Sequence, residues 1–212
     1  MKKAVQIILG IVIIALIWWI ASLIAQPLSF EKQLKERNAV VIEKLKDIRT
    51  AERAYKSKYK KFTDNFDTLA HFILHDSLQM ERKLVDEDDS IAMARLKRLK
   101  KKNVETYYIH VIDTIFNPRK FTAEDVHNLR YIPFTNNTVE FILEAGEAAT
   151  GSTMVLPVVE CRAPYKAYLD TIEYRQNIIN LIDDRVNNFG QYAGLKFGSM
   201  EGSNNEAGNW GE

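Results

Sequence analysis

The hydrophobic pattern divides this 212-residue chain into an apolar start and a mixed remainder. From Ala4 to Ala25 the chain carries no charge, and only Gln6 and Ser22 are appreciably polar. As a helix that rises 1.5 Å per residue, the run is roughly 33 Å long, close to the thickness of the hydrocarbon core of a bilayer. The pattern therefore predicts a transmembrane anchor over residues 1–26.

A cleaved secretory signal and a buried soluble helix are the alternatives to an uncleaved anchor. Lys2 and Lys3 resemble the charged start of a signal peptide. The apolar run is longer than the usual h-region of about 7 to 15 residues, however. Cleavage after Ala25 would also put Leu23 where a small residue is wanted. We therefore favour the uncleaved anchor.

The charges beside the span bear on its orientation. Lys2, Lys3 and the free amine adjoin the span directly, whereas residues 26–30 on the other side are neutral. We therefore expect the N-terminus inside and the rest of the chain outside. A simple count by the positive-inside rule points the other way, because four basic residues follow within about 20 positions: Lys32, Lys35, Arg37 and Lys44.

After Pro27, a heptad-like stripe of apolar residues predicts a helical stalk over residues 27–62. Asn38 and Glu52 occupy skipped positions, where they would fix register in a helical partner or face solvent. The stripe either packs along the protein's own domain or joins the helices of several chains in a homo-oligomer or a complex with protein partners. Its residues are our candidate interaction site: Leu34, Val41, Leu45, Ile48, Tyr55, Tyr59 and Phe62.

Helical and strand patterns alternate over residues 63–200 and predict an exported α+β domain. Thr63 or Asp64 is a plausible cap for the first helix, and Gly190 for the end of the last. The middle helix has an acidic start and a basic end, as the helix dipole favours. The three helices are expected within residues 66–73, 85–102 and 177–190.

The strand-like segments between these helices predict a small, mainly antiparallel sheet. The turn TNNT at 135–138 suits a hairpin, and Pro157 indicates a sheet edge or a bulge. Residues 201–212 are rich in Gly and Asn and are expected to form a flexible tail. The predicted fold is α+β: a transmembrane helix continuing into a long amphipathic helix, then a sheet with flanking helices. The strands are expected within 104–116, 131–134, 139–144, 153–162 and 192–200.

The candidate chemistry is sparse. His71 and His75 could face one metal ion from a helix, but position 72 is Phe, so the glutamate of an HExxH motif is missing. Cys161 is the only cysteine, so no intramolecular disulfide forms. The sequence has no P-loop, GxSxG or paired CxxC motif. We therefore expect no catalytic residue, no metal and no cofactor.

Composition and charge narrow the function classes further. With 46% hydrophobic and 27% charged residues, the chain is not collagen-like, disulfide-rich or wholly disordered. The 29 basic residues include Lys2 and Lys3, so the rest of the chain has 27 basic against 28 acidic residues. This balance argues against a nucleic-acid partner, which would require a basic footprint.

The charged start, the apolar span and the segment RNAVVIEKLKDIRTAERAYKSKYKKFTDNFDTL (37–69) resemble the N-terminal architecture of type IV pilins and secretion pseudopilins. The resemblance covers about residues 1–75. It implies a long helix that runs from the bacterial inner membrane into a periplasmic domain and packs against other subunits. The chain departs from the family's processing site, because the fifth residue after Gly10 is Ala15 instead of glutamate. A static scaffold subunit of a secretion or pilus machine fits these features without cleavage.

Two functional hypotheses follow from the sequence. The first is a single-pass, non-enzymatic assembly or scaffold protein of the bacterial envelope. The second is a membrane-tethered ligand-binding or hydrolytic domain, whose only support is scattered His and Asp residues.

Overall fold

The protein is described from a computed structural model that covers residues 2–86, 88–99, 102–149 and 155–211. The predicted α+β class is confirmed: one long helix is followed by two small antiparallel sheets and short flanking helices. The helices are α1 (Lys2–Tyr59), α2 (Phe66–His75), α3 (Ser90–Arg98), α4 (Val111–Ile115), α5 (Ala123–His127), α6 (Tyr165–Tyr168) and α7 (Arg175–Asp183). The strands are β1 (Ser77–Lys83), β2 (Val104–His110), β3 (Ile142–Ala149), β4 (Val155–Pro164) and β5 (Gly194–Gly198).

Helix α1 continues without a break through Pro27. Proline removes one backbone donor from the helix. The turn that contains Pro27 has a side-chain hydrogen bond instead, in which the Ser29 hydroxyl donates to the carbonyl oxygen of Gln26 at 2.8 Å. What changes near Pro27 is the environment of the helix, from exposed before it to packed after it. Leu28 is exposed, whereas Phe30 is the first residue of α1 to join the hydrophobic core.

Strands β1 and β2 form a two-stranded antiparallel hairpin in which Leu78 pairs with Ile109 and Met80 with Tyr107. Helix α3 lies between the two strands in sequence. We call residues 77–110 the arm. The structure does not describe positions 87, 100 and 101, which belong to the acidic and basic runs around α3.

The long strand expected over 104–116 is wrong in its second half, because β2 ends at His110 and α4 follows. Val111 is fully buried, and its backbone N–H donates to the carbonyl oxygen of Asp76 at 3.0 Å. Tertiary burial thus outweighs the strand preference of these β-branched residues. The cap of α2 also differs from the prediction, since Asn65 accepts hydrogen bonds from the N–H groups of the first turn.

The second sheet has the order β3-β4-β5 and is antiparallel throughout. The hairpin expected around residues 135–138 reduces to one bridge between Tyr131 and Glu140, and β3 begins only at Ile142. Pro157 pairs with Glu147 of β3 in a part of β4 that β5 does not reach, in keeping with an edge position. Residues 153 and 154, where the predicted fourth strand begins, lie outside the described ranges.

The last residues pack against the body, which differs from the flexible tail expected there. Gly208 forms a bridge with Phe197 of β5. Trp210 packs against the core, and its ring lies under the guanidinium group of Arg49, 5.8 Å from the ring centroid. Glu206 is buried where the last residues pack against α1. These contacts fix a segment whose composition alone indicates a coil.

Candidate membrane anchor and interaction site

The first half of α1 exposes an unbroken apolar surface. From Ile7 to Ile20 every Ile, Leu, Val and Trp side chain is between 46% and 73% exposed. Soluble monomers rarely expose so many contiguous apolar side chains. The helix is long and apolar enough to cross a membrane.

The folded body meets α1 directly beyond this apolar surface. The Phe30 ring lies 5.6 Å from the Tyr174 ring, centroid to centroid, and the Tyr174 hydroxyl donates to the Ser29 oxygen at 3.1 Å. Further along, the Tyr168 hydroxyl donates to the Asn38 side-chain oxygen at 2.7 Å. The body is therefore packed onto the helix itself, with no flexible linker between the apolar half and the domain.

The predicted stripe lies inside this packing. Val41, Leu45 and Ile48 are fully buried, and they belong to the core that α1 shares with α2, α4 and β5. Of the remaining stripe residues, Tyr55 and Phe62 are buried, Leu34 is partly buried, and Tyr59 is 44% exposed. The sequence left open whether the stripe packs along the protein's own domain or between chains, and in the structure it packs along the domain.

The polar residues of the stripe also have internal partners. Asn38 accepts the hydrogen bond from Tyr168, and Glu52 Oε2 accepts one from the backbone N–H of Thr63 at 3.2 Å. Burial, assisted by the negative charge of Asp64, raises the pKa of Glu52 to about 8. Oε1 of Glu52 has no hydrogen-bond partner within the described part of the chain.

Cys161 lies on β4, in the same part of the core as Glu52. Its side chain is fully buried. Burial raises the pKa of the thiol well above its ordinary value, and the charge of Glu52 raises it further. A neutral thiol that does not reach solvent does not offer a nucleophile to an external substrate.

The two histidines on α2 stack on each other. Their ring centroids are 4.5 Å apart, and Nδ1 of His75 lies 3.2 Å from the carbonyl oxygen of His71. Over residues 2–86, 88–99, 102–149 and 155–211, no three or more His, Cys, Asp or Glu side chains come together in a way that could hold a metal ion.

The arm is attached at the far end of α1 from the apolar surface. Asp76, at the base of β1, accepts a hydrogen bond from the Tyr59 hydroxyl at 2.6 Å and lies 3.0 Å from Nζ of Lys58. The hydrogen bond from Tyr59 lowers the pKa of Asp76, and Lys58 lowers it further. These contacts join the base of the arm to the end of the long helix.

The arm carries exposed apolar side chains. Tyr108 on β2 is 70% exposed, and Ile91 on α3 is 84% exposed. Met80 and Tyr107 form a cross-strand pair on one face of the hairpin and are both partly exposed. No residue of α3 is buried within its described span. The arm therefore contributes little to the core and leaves these apolar side chains at its surface.

Sequence reasoning missed β1 and with it the arm. The segment SLQMERK has only two apolar residues, Leu78 and Met80, but they alternate with polar ones, which is the signal for a strand with one apolar face. Strand β2 supplies the partner that this short strand needs.

Together these features define a class of protein: an α+β body built around the second half of a helix whose first half is suited to a membrane. No family model, curated protein or solved structure matches this chain.

Proposed function

We propose that this protein is a single-pass membrane protein of the bacterial envelope that assembles other proteins and has no enzymatic activity of its own. One observation carries the proposal. The same continuous helix exposes its apolar side chains from Ile7 to Ile20 and at Leu28, and it forms the core of the body from Phe30 onward. Insertion of the first half into a bilayer would bury the exposed apolar surface and hold the body rigidly at one face.

The arm is the surface that we propose for protein partners. Tyr59, beside the arm's base, lies about 46 Å along the helix from Leu28, at 1.5 Å per residue. A rigid spacer of this length would present the arm well away from the lipid headgroups. Exposed aromatic residues such as Tyr108 are typical anchors of protein interfaces.

Contact through the stripe is a weaker form of the proposal. Val41 and Leu45 are fully buried in the chain's own core, so a helical assembly built on them would first have to open the body. The resemblance to pilins and pseudopilins suggests the kind of assembly, a secretion or pilus apparatus of the inner membrane. In that setting the body and the arm lie in the periplasm.

A topology experiment tests the compartment. Alkaline phosphatase, or a fluorescent protein that matures only in the cytoplasm, is fused after the last residue of the full chain. We expect an active phosphatase and a dark fluorescent fusion. A fluorescent and phosphatase-negative chain would place the body in the cytoplasm and contradict this part of the proposal.

Site-specific photocrosslinking in membranes tests the arm. A photoreactive side chain at Tyr108 or Ile91 should yield adducts with a partner protein, whereas the same group at Glu36, exposed on α1, should yield few. Replacement of residues 78–109 by two glycines should leave the body folded and abolish co-purification of the partner that the adducts identify. Equal adducts from all three positions, or none from the arm, would contradict the assignment.

A further inference from the structure

The turn from Asp170 to Tyr174 contacts α1 just beyond its apolar half, at Ser29 and Phe30. Before the turn, the Tyr168 hydroxyl bonds to Asn38 of α1. At its end, Tyr174 bonds to Ser29 and packs on Phe30. The two contact positions on α1, Asn38 and Ser29, are nine residues apart, or about 14 Å along the helix axis.

Ile172 sits in the middle of this turn and is 94% exposed, the highest value among the large apolar side chains of the described residues. It lies two residues before Tyr174, so its backbone is within about 7 Å of that of Tyr174, whose ring and hydroxyl reach Phe30 and Ser29. The headgroup region on each face of a bilayer is about 5 to 8 Å thick, by the difference between the full and hydrocarbon thicknesses. If α1 crosses the membrane and Ser29 lies among the headgroups, the turn that carries Ile172 lies beside them.

The turn is held in one conformation by its own hydrogen bonds. Oδ1 of Asp170 accepts from the N–H of Ile172 at 3.0 Å and from that of Glu173 at 3.1 Å, and the N–H of Tyr174 donates to the Asp170 carbonyl oxygen at 3.1 Å. These backbone donors lower the pKa of Asp170. A carboxylate engaged in this way fixes the turn, and Ile172 projects from it without loss of further backbone freedom.

We infer that this turn is a second membrane contact, which inserts Ile172 into the boundary between headgroups and acyl chains of the leaflet from which α1 emerges. The inference rests on the proposed membrane span of α1. Tyr174, which is buried against α1, holds the turn in place through its contacts with Ser29 and Phe30. Two attachment points would fix the tilt of the body and direct the arm away from the membrane.

The contact is apolar in character and does not depend on anionic lipid. The charged residues of segments 31–35 and 170–175 are balanced, three basic and three acidic: Lys32, Lys35, Arg175, Glu31, Asp170 and Glu173. A vesicle of phosphatidylcholine alone is therefore the appropriate probe.

The test places an environment-sensitive fluorophore on single cysteines in the full chain, reconstituted in phosphatidylcholine vesicles. The positions are Ile172→Cys in the turn, Ile17→Cys in the span, and Ile91→Cys as another highly exposed isoleucine, on the arm. Cys161 is buried, and labelling of the unsubstituted chain measures its background. Two sets of vesicles carry a nitroxide quencher, one near the top of the acyl chain for position 172 and one near its middle for position 17.

We expect the fluorophores at positions 172 and 17 to be quenched at least about twofold and the one at 91 to be unaffected. Quenching at 17 but not at 172 would overturn the second contact and leave the span intact. Absence of quenching at 17 would overturn the span, and the proposed function with it.

A second labelling scheme excludes insertion driven by the fluorophore itself. The label is moved to Thr171→Cys, next to Ile172, and compared in three backgrounds. With Ile172 or Ile172→Leu the label should be quenched, and with Ile172→Asp the quenching should be lost. Equal quenching in all three backgrounds would contradict the role of Ile172.

Discussion

The side-chain carboxyl of Glu52 accepts a hydrogen bond from the backbone N–H of Thr63, 3.2 Å away. The contact lies in the core and joins α1 to the loop that leads into α2. Glu52 is fully buried, and burial raises its pKa to about 8. The folded protein therefore keeps a proton on Glu52 that the unfolded chain, with the ordinary value of 4.5, releases. This carboxyl group makes the stability of the body depend on pH.

The sign of the dependence follows from proton linkage. The contribution of Glu52 is fully present below pH 4.5 and is lost as the pH rises toward 8, so the free energy of unfolding falls by up to about 1.4 kcal/mol per pH unit across that window. Glu52→Gln should remove this slope, because its amide is neutral and its oxygen still accepts from Thr63. Urea unfolding of the full chain in detergent, followed by circular dichroism between pH 5 and pH 8, measures it.

Glu36→Gln is the matched control, since Glu36 is exposed on the same helix and should leave the slope unchanged. At pH 8 the Glu52→Gln protein should be more stable than the unsubstituted one, and at pH 5 the two should agree within about 1 kcal/mol. A substituted protein with the original slope would show that Glu52 ionises normally in the folded state.

The ion pair of Arg119 with Asp47 should contribute to stability more than an ordinary surface pair. Asp47 is buried, and burial raises its pKa even though Arg119 acts in the opposite direction. Asp47→Asn should lower the free energy of unfolding by about 1 to 3 kcal/mol, because the guanidinium group loses its buried partner. Urea titration at neutral pH measures the change.

Glu43 provides an internal comparison, because it contacts the same guanidinium group at 3.2 Å while its side chain is 67% exposed. Glu43→Gln should cost less than about 1 kcal/mol. Equal losses from the two substitutions would contradict the importance of burial at Asp47.

The C-terminal segment should detach when its buried carboxylate is reversed in charge. Glu206 lies 3.1 Å from Arg53 and 3.4 Å from Lys56 of α1. Glu206→Lys should expose the last residues to proteases and lower the free energy of unfolding by about 1 to 2 kcal/mol, since it places like charges together. Limited proteolysis followed by mass spectrometry locates the cleavage.

Glu201→Lys is the control for this substitution, because Glu201 is exposed in the same segment. It should leave the protease pattern unchanged. Rapid cleavage of the unsubstituted chain after residue 200 would instead support the flexible tail that composition alone suggests.

The parts of the fold that follow from the sequence are those set by long-range periodicity. The apolar run and the stripe that includes Val41 and Leu45 predict a helix wherever they pack, so most of α1 could be predicted. A π-helical turn, Asp184–Asn188, continues α7, and Gly190 follows it with a positive φ of 60°, as its place in the pattern indicates. The stripe did not reveal what it packs against, because periodicity identifies an apolar face and not its partner.

The parts that could not be predicted depend on tertiary contacts. Val111 belongs to a strand-like run, yet it begins a helix. Its side chain is buried in the core, and its N–H donates to the carbonyl oxygen of Asp76. Trp210 lies in a Gly-rich and Asn-rich segment that is ordered only by contact with α1 and β5. The position of the turn at Ile172 beside α1 depends on the hydrogen bond between Tyr174 and Ser29, which are 145 residues apart in the sequence.

The state of the chain in the membrane tests the central claim most directly. Membranes from cells that make the protein are washed with alkaline carbonate, and the intact mass of the chain is measured in the pellet and in the supernatant. The account predicts a chain of 24.5 kDa, with its first residues retained, in the pellet. A shorter chain that begins near Gln26, or an intact chain in the supernatant, would contradict it.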